Sequence, residues 1–179
     1  MDLVARERRK YERMWAVPNY SKTSPGEMIA PVAFSEMGMA AGDGLLDFGC
    51  GQCKAVDWFR KQGVLAVGID LVPLREDVVE ASLWDLPEVT ATWGFSADVM
   101  EHIPPEKVDD VLAGIRRSTT RGAFLQIATR PDRMGRLIGE TLHLTVQPRG
   151  WWVEQLRRHW STVRVGESAT DWQFWAACT

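Results

Sequence analysis

Two apolar runs, each closed by an acid, constrain this chain more than any other feature. Leu45-Leu46-Asp47-Phe48 runs into the turn Gly49-Cys50-Gly51-Gln52-Cys53-Lys54, and Val67-Gly68-Ile69 ends at Asp70. A strand that empties into a glycine turn lets the backbone approach a ligand closely. A second strand beside it presents a carboxylate to two ribose hydroxyls. The layout is that of a nucleoside-binding α/β fold.

The turn itself narrows the ligand. A dinucleotide site needs glycine at the first, third and sixth positions, so that a pyrophosphate rests on a helix N-terminus. Gly49 and Gly51 fit, but Lys54 holds the sixth position and Asp47 precedes the turn. Asp47 repels a pyrophosphate and suits an ammonium group. The stretch resembles motif I of the class I S-adenosylmethionine-dependent methyltransferases: acid, any residue, Gly-any-Gly-any-Gly. Cys53 stands at the third glycine, and cysteine takes positive φ less readily than glycine. The resemblance implies S-adenosylmethionine as cofactor, bound by Asp47, Gly49, Cys50 and Gly51, with Asp70 and Leu71 at its ribose. A carboxylate suits that place because it only accepts, and takes two donors at once.

Three further segments carry the resemblance. Leu83-Trp84-Asp85-Leu86-Pro87 is similar to the family's loop after strand three, but Ser82 holds the position of the acid that contacts adenine. The Ser82 hydroxyl, the Leu83 backbone and stacking by Trp84 are the replacements; packing explains Trp84 equally well. Ser96-Ala97-Asp98-Val99-Met100-Glu101-His102-Ile103-Pro104 is similar to the segment that leaves strand four under the methionine end, which places Ala97 and Asp98 there. Its Glu-His ending favours small-molecule enzymes. DNA amino-methylation would want Pro-Pro and an aromatic earlier, and cytosine methylation would want a Pro-Cys pair. His102 is a candidate base or a loop tether, and Glu101 an ammonium contact or a solvated acid. Gly139-Glu140-Thr141-Leu142-His143-Leu144-Thr145-Val146, ahead of Trp151-Trp152, resembles a segment of small bacterial and phage methyltransferases. His143 is the leading general base or substrate contact; the alternative is a buried histidine bonded to a loop carbonyl. The tryptophan pair reads as packing.

Composition sets outer bounds. A chain of 179 residues, 45% hydrophobic and 25% charged, fits one soluble domain, residues 1–179, with a single substantial core. A net charge of −3 argues against a protein built to coat nucleic acid. The basic run Arg6, Arg8, Arg9, Lys10 and Arg13 reads as a solvated helix face, with nucleic acid as the alternative. No apolar run reaches the roughly 20 residues of a bilayer span, and no secretory h-region is visible, so the expected compartment is the cytoplasm. Cys50 and Cys53 form a C-x-x-C pair, read as two small residues in a tight turn. No His cluster at ligand spacing points to a metal.

Periodicity orders the rest. Residues 2–16 read as a helix capped by Asp2, and 19–30 as turn-rich around Ser24-Pro25-Gly26, with a short helix over 28–41. Strands follow at 44–48, 64–69, 78–81, 92–97 and 122–128, with helices over 54–62 and from Pro104-Pro105 onward. Pro73 leaves room for only one helical turn between the second and third strands. A helix over 150–160 precedes closing strands at 161–166 and 171–177, which pair as a hairpin. The expected architecture is Rossmann-like: a mostly parallel seven-stranded sheet, helices on both faces, and an antiparallel C-terminal strand. Residues 1–40 would cap the 41–179 core, with Tyr11, Trp15 and Tyr20 facing an acceptor that also meets Glu140. The function so implied is methyl transfer to a small molecule. The alternatives are a nucleic-acid or nucleotide methyltransferase, or a protein that binds or degrades the cofactor without methylating an acceptor. Oligomeric state is not legible.

Overall fold

The computed structural model describes residues 2–18, 20, 22 and 24–179. The elements run α1 (Leu3–Trp15), α2 (Pro25–Met37), β1 (Gly44–Phe48), α3 (Lys54–Lys61), β2 (Leu65–Asp70), β3 (Val78–Glu80) and β4 (Ala91–Ala97). They continue with α4 (Val108–Arg117), β5 (Thr119–Ala128), α5 (Arg149–Arg157), β6 (Val163–Glu167) and β7 (Gln173–Cys178). The sheet order is β3-β2-β1-β4-β5-β7-β6. Only β7 runs against its neighbours, wedged between β5 and β6 as the partner of both. This is the seven-stranded, mostly parallel sheet expected from the sequence, with its closing hairpin.

Local chemistry sets the element ends. The Asp2 carboxylate accepts the Val4 N–H and starts α1. The Ser24-Pro25-Gly26 stretch, expected as a turn, is instead the start of α2. Ser24 Oγ accepts the Glu27 N–H at 3.2 Å, and Pro25 takes the first helical position, where its missing N–H costs nothing. Gly38, left-handed at φ 61, stops α2 short of residue 41. Asn19, Ser21 and Thr23 of the turn-rich stretch lie outside the described residues. The helical turn expected between β2 and β3 does not form. Residues 71–77 are bends and turns, braced by Arg75 on both carboxylate oxygens of Asp57 and on Asp77.

Alternation along the strands divides the core. Leu46, Phe48 and Leu125 meet Val108, Val111, Leu112 and Ile115 of α4 and Trp152 and Leu156 of α5 on one face. Leu45, Phe95 and Phe124 meet Ala33 of α2 and Val56 and Phe59 of α3 on the other. Each such side chain contributes about 1.5–3 kcal/mol on burial. No described helix is long and apolar enough to cross a membrane. Because β1 pairs with β2 on one side and β4 on the other, the connections diverge at its C-terminal end. That divergence opens a crevice, the place where open α/β sheets bind ligands.

Gly68 of β2 keeps the floor of this crevice in place. A Cβ there would lie 2.5 Å from Cys50 Sγ and 2.9 Å from Cys50 Cβ. Gly68→Ala should therefore lower stability by about 1–3 kcal/mol, the usual cost of overpacking. Urea denaturation measures it, and an unchanged midpoint would show that the turn yields freely.

Candidate active site

The strand ends deliver their acids to one cavity. It occupies about 590 Å³, within the size range of small-ligand sites. Asp47 from β1, Asp70 from β2, and Ala97 and Asp98 at the end of β4 line it, with the Gly49-Cys50-Gly51 turn between them. Gly49 has φ 83, and a Cβ there would meet Val99 Cγ2 at 2.5 Å, so only glycine lets the turn lie this close to β4. Cys53 takes the left-handed conformation, φ 60, of the glycine it replaces, a strain of order 1 kcal/mol. Its thiol is buried 3.5 Å from Cys50 Sγ, and both cysteines are free thiols.

The two strand-end acids differ in what they already bind. Asp70 Oδ2 accepts the Gly51 N–H at 2.8 Å and Oδ1 accepts the Val72 N–H at 2.9 Å. Each oxygen keeps lone-pair capacity for a further donor. Burial raises the Asp70 carboxyl, opposed by these backbone donors. Asp47 is 3% exposed, and no described residue donates a hydrogen bond to its carboxylate. Burial pushes it well above the usual carboxylate range, and Cys53 and Asp70 push the same way. A cation in the cavity would satisfy it. Ser82 also lines the cavity, with its buried Oγ lacking a partner among the described residues. Leu71, Leu83 and Trp84 complete that end, and Trp84 also packs against the core.

The opposite end is built from the N-terminal helix and the segment after β5. Tyr11, Trp15 and Tyr20 line the cavity, Trp15 and Tyr20 with ring centroids 5.0 Å apart. Burial raises Tyr20 to about 12 and Tyr11 well above its ordinary value, so both phenols stay neutral. Tyr11 Oη lies 2.8 Å from His102 Nδ1. His143 Nδ1 lies 2.6 Å from the Arg130 carbonyl, which realises the loop-carbonyl contact foreseen for it, while the residue still lines the cavity. The two imidazole rings stand 4.7 Å apart, edge to face. Asp132 pins the loop that carries His143 by accepting the Gly135, Leu142 and His143 N–H groups.

Two expectations need correcting. Glu140 does not line the cavity; it forms an exposed ion pair with Arg13 at 3.3 Å. The loop turns at Gly139, left-handed at φ 70, before it reaches the wall at Leu142. Glu101 is not a solvated acid. It is fully buried, with Oε1 accepting the Ala128 N–H at 3.1 Å. Sequence reasoning missed Arg130, Pro131, Asp132, Arg133 and Trp172 in the wall, because nothing in their local pattern marks a loop that returns to the crevice.

Comparison with known proteins places the fold. No family model matches the sequence, and no curated protein matches it. Solved structures do. The PH0226 protein of Pyrococcus horikoshii OT3 is 15% identical, with a TM-score of 0.72, over 93% of this chain and 97% of that one. Magnesium protoporphyrin IX methyltransferase of Synechocystis PCC 6803, solved with S-adenosylmethionine bound, is 14% identical with a TM-score of 0.69, over 100% and 98%. The 1,6-didemethyltoxoflavin-N1-methyltransferase of Burkholderia thailandensis, solved with 1,6-didemethyltoxoflavin and S-adenosylhomocysteine bound, is 14% identical with a TM-score of 0.68, over 99% and 87%. The chain has the class I methyltransferase fold.

Burial, with His143 and Lys10 nearby, lowers the His102 imidazole to about 3. The unfolded chain binds this proton near pH 6.5, so the folded state loses stability as pH falls from about 6.5 towards 3. Urea titrations of wild type and His102→Gln should diverge across that window, with the wild type losing more on acidification. Parallel curves would contradict the burial argument.

Proposed function

We propose that the chain is an S-adenosylmethionine-dependent methyltransferase that acts on a small-molecule acceptor in the cytoplasm. One observation carries this reading: a glycine turn flanked by Asp47, buried with no ion pair or side-chain hydrogen bond among the described residues, and Asp70, with acceptor capacity to spare, in one cavity. The fit to the cofactor is chemical. Asp47 lies where an ammonium would neutralise it, Asp70 accepts from two ribose hydroxyls, and the orphan Ser82 hydroxyl faces the adenine end.

Bound there, S-adenosylmethionine supplies a methyl group activated by the sulfonium. The chain's task is then to position an acceptor in line with it, which is worth up to about 7–11 kcal/mol of barrier. Of the cap expected from residues 1–40, α1, Tyr20 and the start of α2 face the cavity, whereas the rest of α2 packs into the core instead. Tyr11, Trp15 and Tyr20 exclude water from the acceptor's side. His102 and His143 are the polar groups proposed to meet the acceptor atom.

The small-molecule preference has its own support. Four of the five cations of the α1 run are engaged: Arg6 and Lys10 pair with Glu7, Arg8 with Glu80, and Arg13 with Glu140. A nucleic-acid footprint needs such cations available to phosphates. Two of the similar structures are of enzymes named for small acceptors, a magnesium porphyrin and a toxoflavin precursor.

Titration calorimetry with S-adenosylhomocysteine tests the reading. Binding should be one to one, and Asp70→Asn should weaken it about tenfold or more, since a hydrogen bond to a charged group is worth about 1.5–3 kcal/mol. No heat with the wild type, or equal affinity in the variant, would overturn it.

A further inference from the structure

The acceptor end of the cavity holds a grouping that cofactor binding does not use. Glu101, His102 and His143 each place one potential ligand atom within 4.8 Å of the others. They come from two separate places, the turn after β4 and the segment after β5, so their convergence is a product of the fold. We propose that Glu101, His102 and His143 hold a divalent transition-metal ion beside the methyl-transfer position, and that this ion binds a hydroxyl of the acceptor.

Geometry argues for a cation at this point. Glu101 Oε1 is occupied by the Ala128 N–H, but Oε2 is buried with no donor among the described residues. The Glu101 side chain lies in hydrogen-bonding contact with that of Asp98, which is held left-handed at φ 55 and bonded to Gln173 Nε2. Two buried carboxyl groups side by side repel each other unless a proton or a cation joins them. The imidazoles are prepared as ligands as well. Each has Nδ1 engaged, by Tyr11 Oη or by the Arg130 carbonyl, which fixes the ring and directs Nε2 to a metal. No described side chain bonds to either Nε2; the His102 ring also hydrogen-bonds to the Leu142 backbone, a contact the ion would displace.

The donor set selects the ion. Two imidazoles with carboxylate oxygen suit Zn²⁺, Mn²⁺ or Co²⁺, whereas Ca²⁺ takes oxygen ligands throughout. His102 and His143 line the cavity, so the remaining coordination positions open onto the acceptor. A metal-held hydroxyl loses its proton near neutral pH. The proton goes to water, the oxygen lone pair forms the new C–O bond, and the electrons of the C–S bond pass to sulfur. The acceptor class is thus an alcohol or phenol, and no side chain need act as general base.

This inference takes its chemistry from the methyltransferase reading, but its test does not. Mn²⁺ is the probe, because the Cys50 and Cys53 thiols compete for Zn²⁺ and not for Mn²⁺. The chelator-treated chain, with S-adenosylhomocysteine present, is titrated with Mn²⁺ by calorimetry and electron paramagnetic resonance. One Mn²⁺ should bind, at least tenfold more weakly in His143→Gln and in Glu101→Gln, and unchanged in the surface control His159→Ala. S-adenosylhomocysteine affinity should stay the same in His143→Gln, which separates loss of metal from loss of the cofactor site. Should Glu101→Gln fail to fold, His143→Gln decides alone. Absence of stoichiometric Mn²⁺, or equal affinity in His143→Gln, would overturn the proposal.

Discussion

Buried negative charge governs the centre of this molecule. Asp47, Asp70, Asp98 and Glu101 converge at the C-terminal ends of β1, β2 and β4, and burial raises all four carboxyls. Removing each ionised acid from water costs several kcal/mol, which only a positive partner or a proton offsets. The nearby buried lysine, Lys10, is already committed to Glu7. Such a cavity favours ligands that carry positive charge. An ammonium at Asp47, a sulfonium above the glycine turn and a divalent ion at Glu101 would each relieve part of the same electrostatic debt. The crevice is shaped by strand order, but its selectivity comes from this field.

The N-terminal helix is tied to the acceptor side at several points. Tyr11 meets His102, Lys10 donates to the Thr141 carbonyl, and Arg13 donates to the Ile138 carbonyl. The segment after β5 is in turn held to the turn after β4. The Thr145 N–H donates to the Glu101 carbonyl, and Thr145 Oγ1 donates to that of Ile103. The N-terminal helix and the loop bearing His143 are therefore linked through one set of hydrogen bonds.

Much of this was legible in the sequence because it is local. Apolar runs ending at Asp47 and Asp70 define strands and their exits, and all strand positions follow from such patterning. The cofactor-side residues fell into one cavity because strand ends are brought together by topology alone. What escaped was of two kinds. The start of α2 was hidden because Ser24-Pro25-Gly26 reads as a turn unless Glu27 is weighed as its capping partner. The Glu101–His102–His143 grouping was hidden because its members lie far apart in the chain, and no local spacing announces ligands that meet only through tertiary packing. Glu140 misled for the converse reason: nearness to His143 in sequence does not carry it past the turn at Gly139.

A crystal structure with S-adenosylhomocysteine tests the central claim most directly. The account predicts the ribose hydroxyls on the Asp70 carboxylate, the ammonium against Asp47 and the sulfur directed towards the two histidines. Density for the molecule anywhere outside the crevice between β1 and β4, or with its ribose away from Asp70, would contradict it.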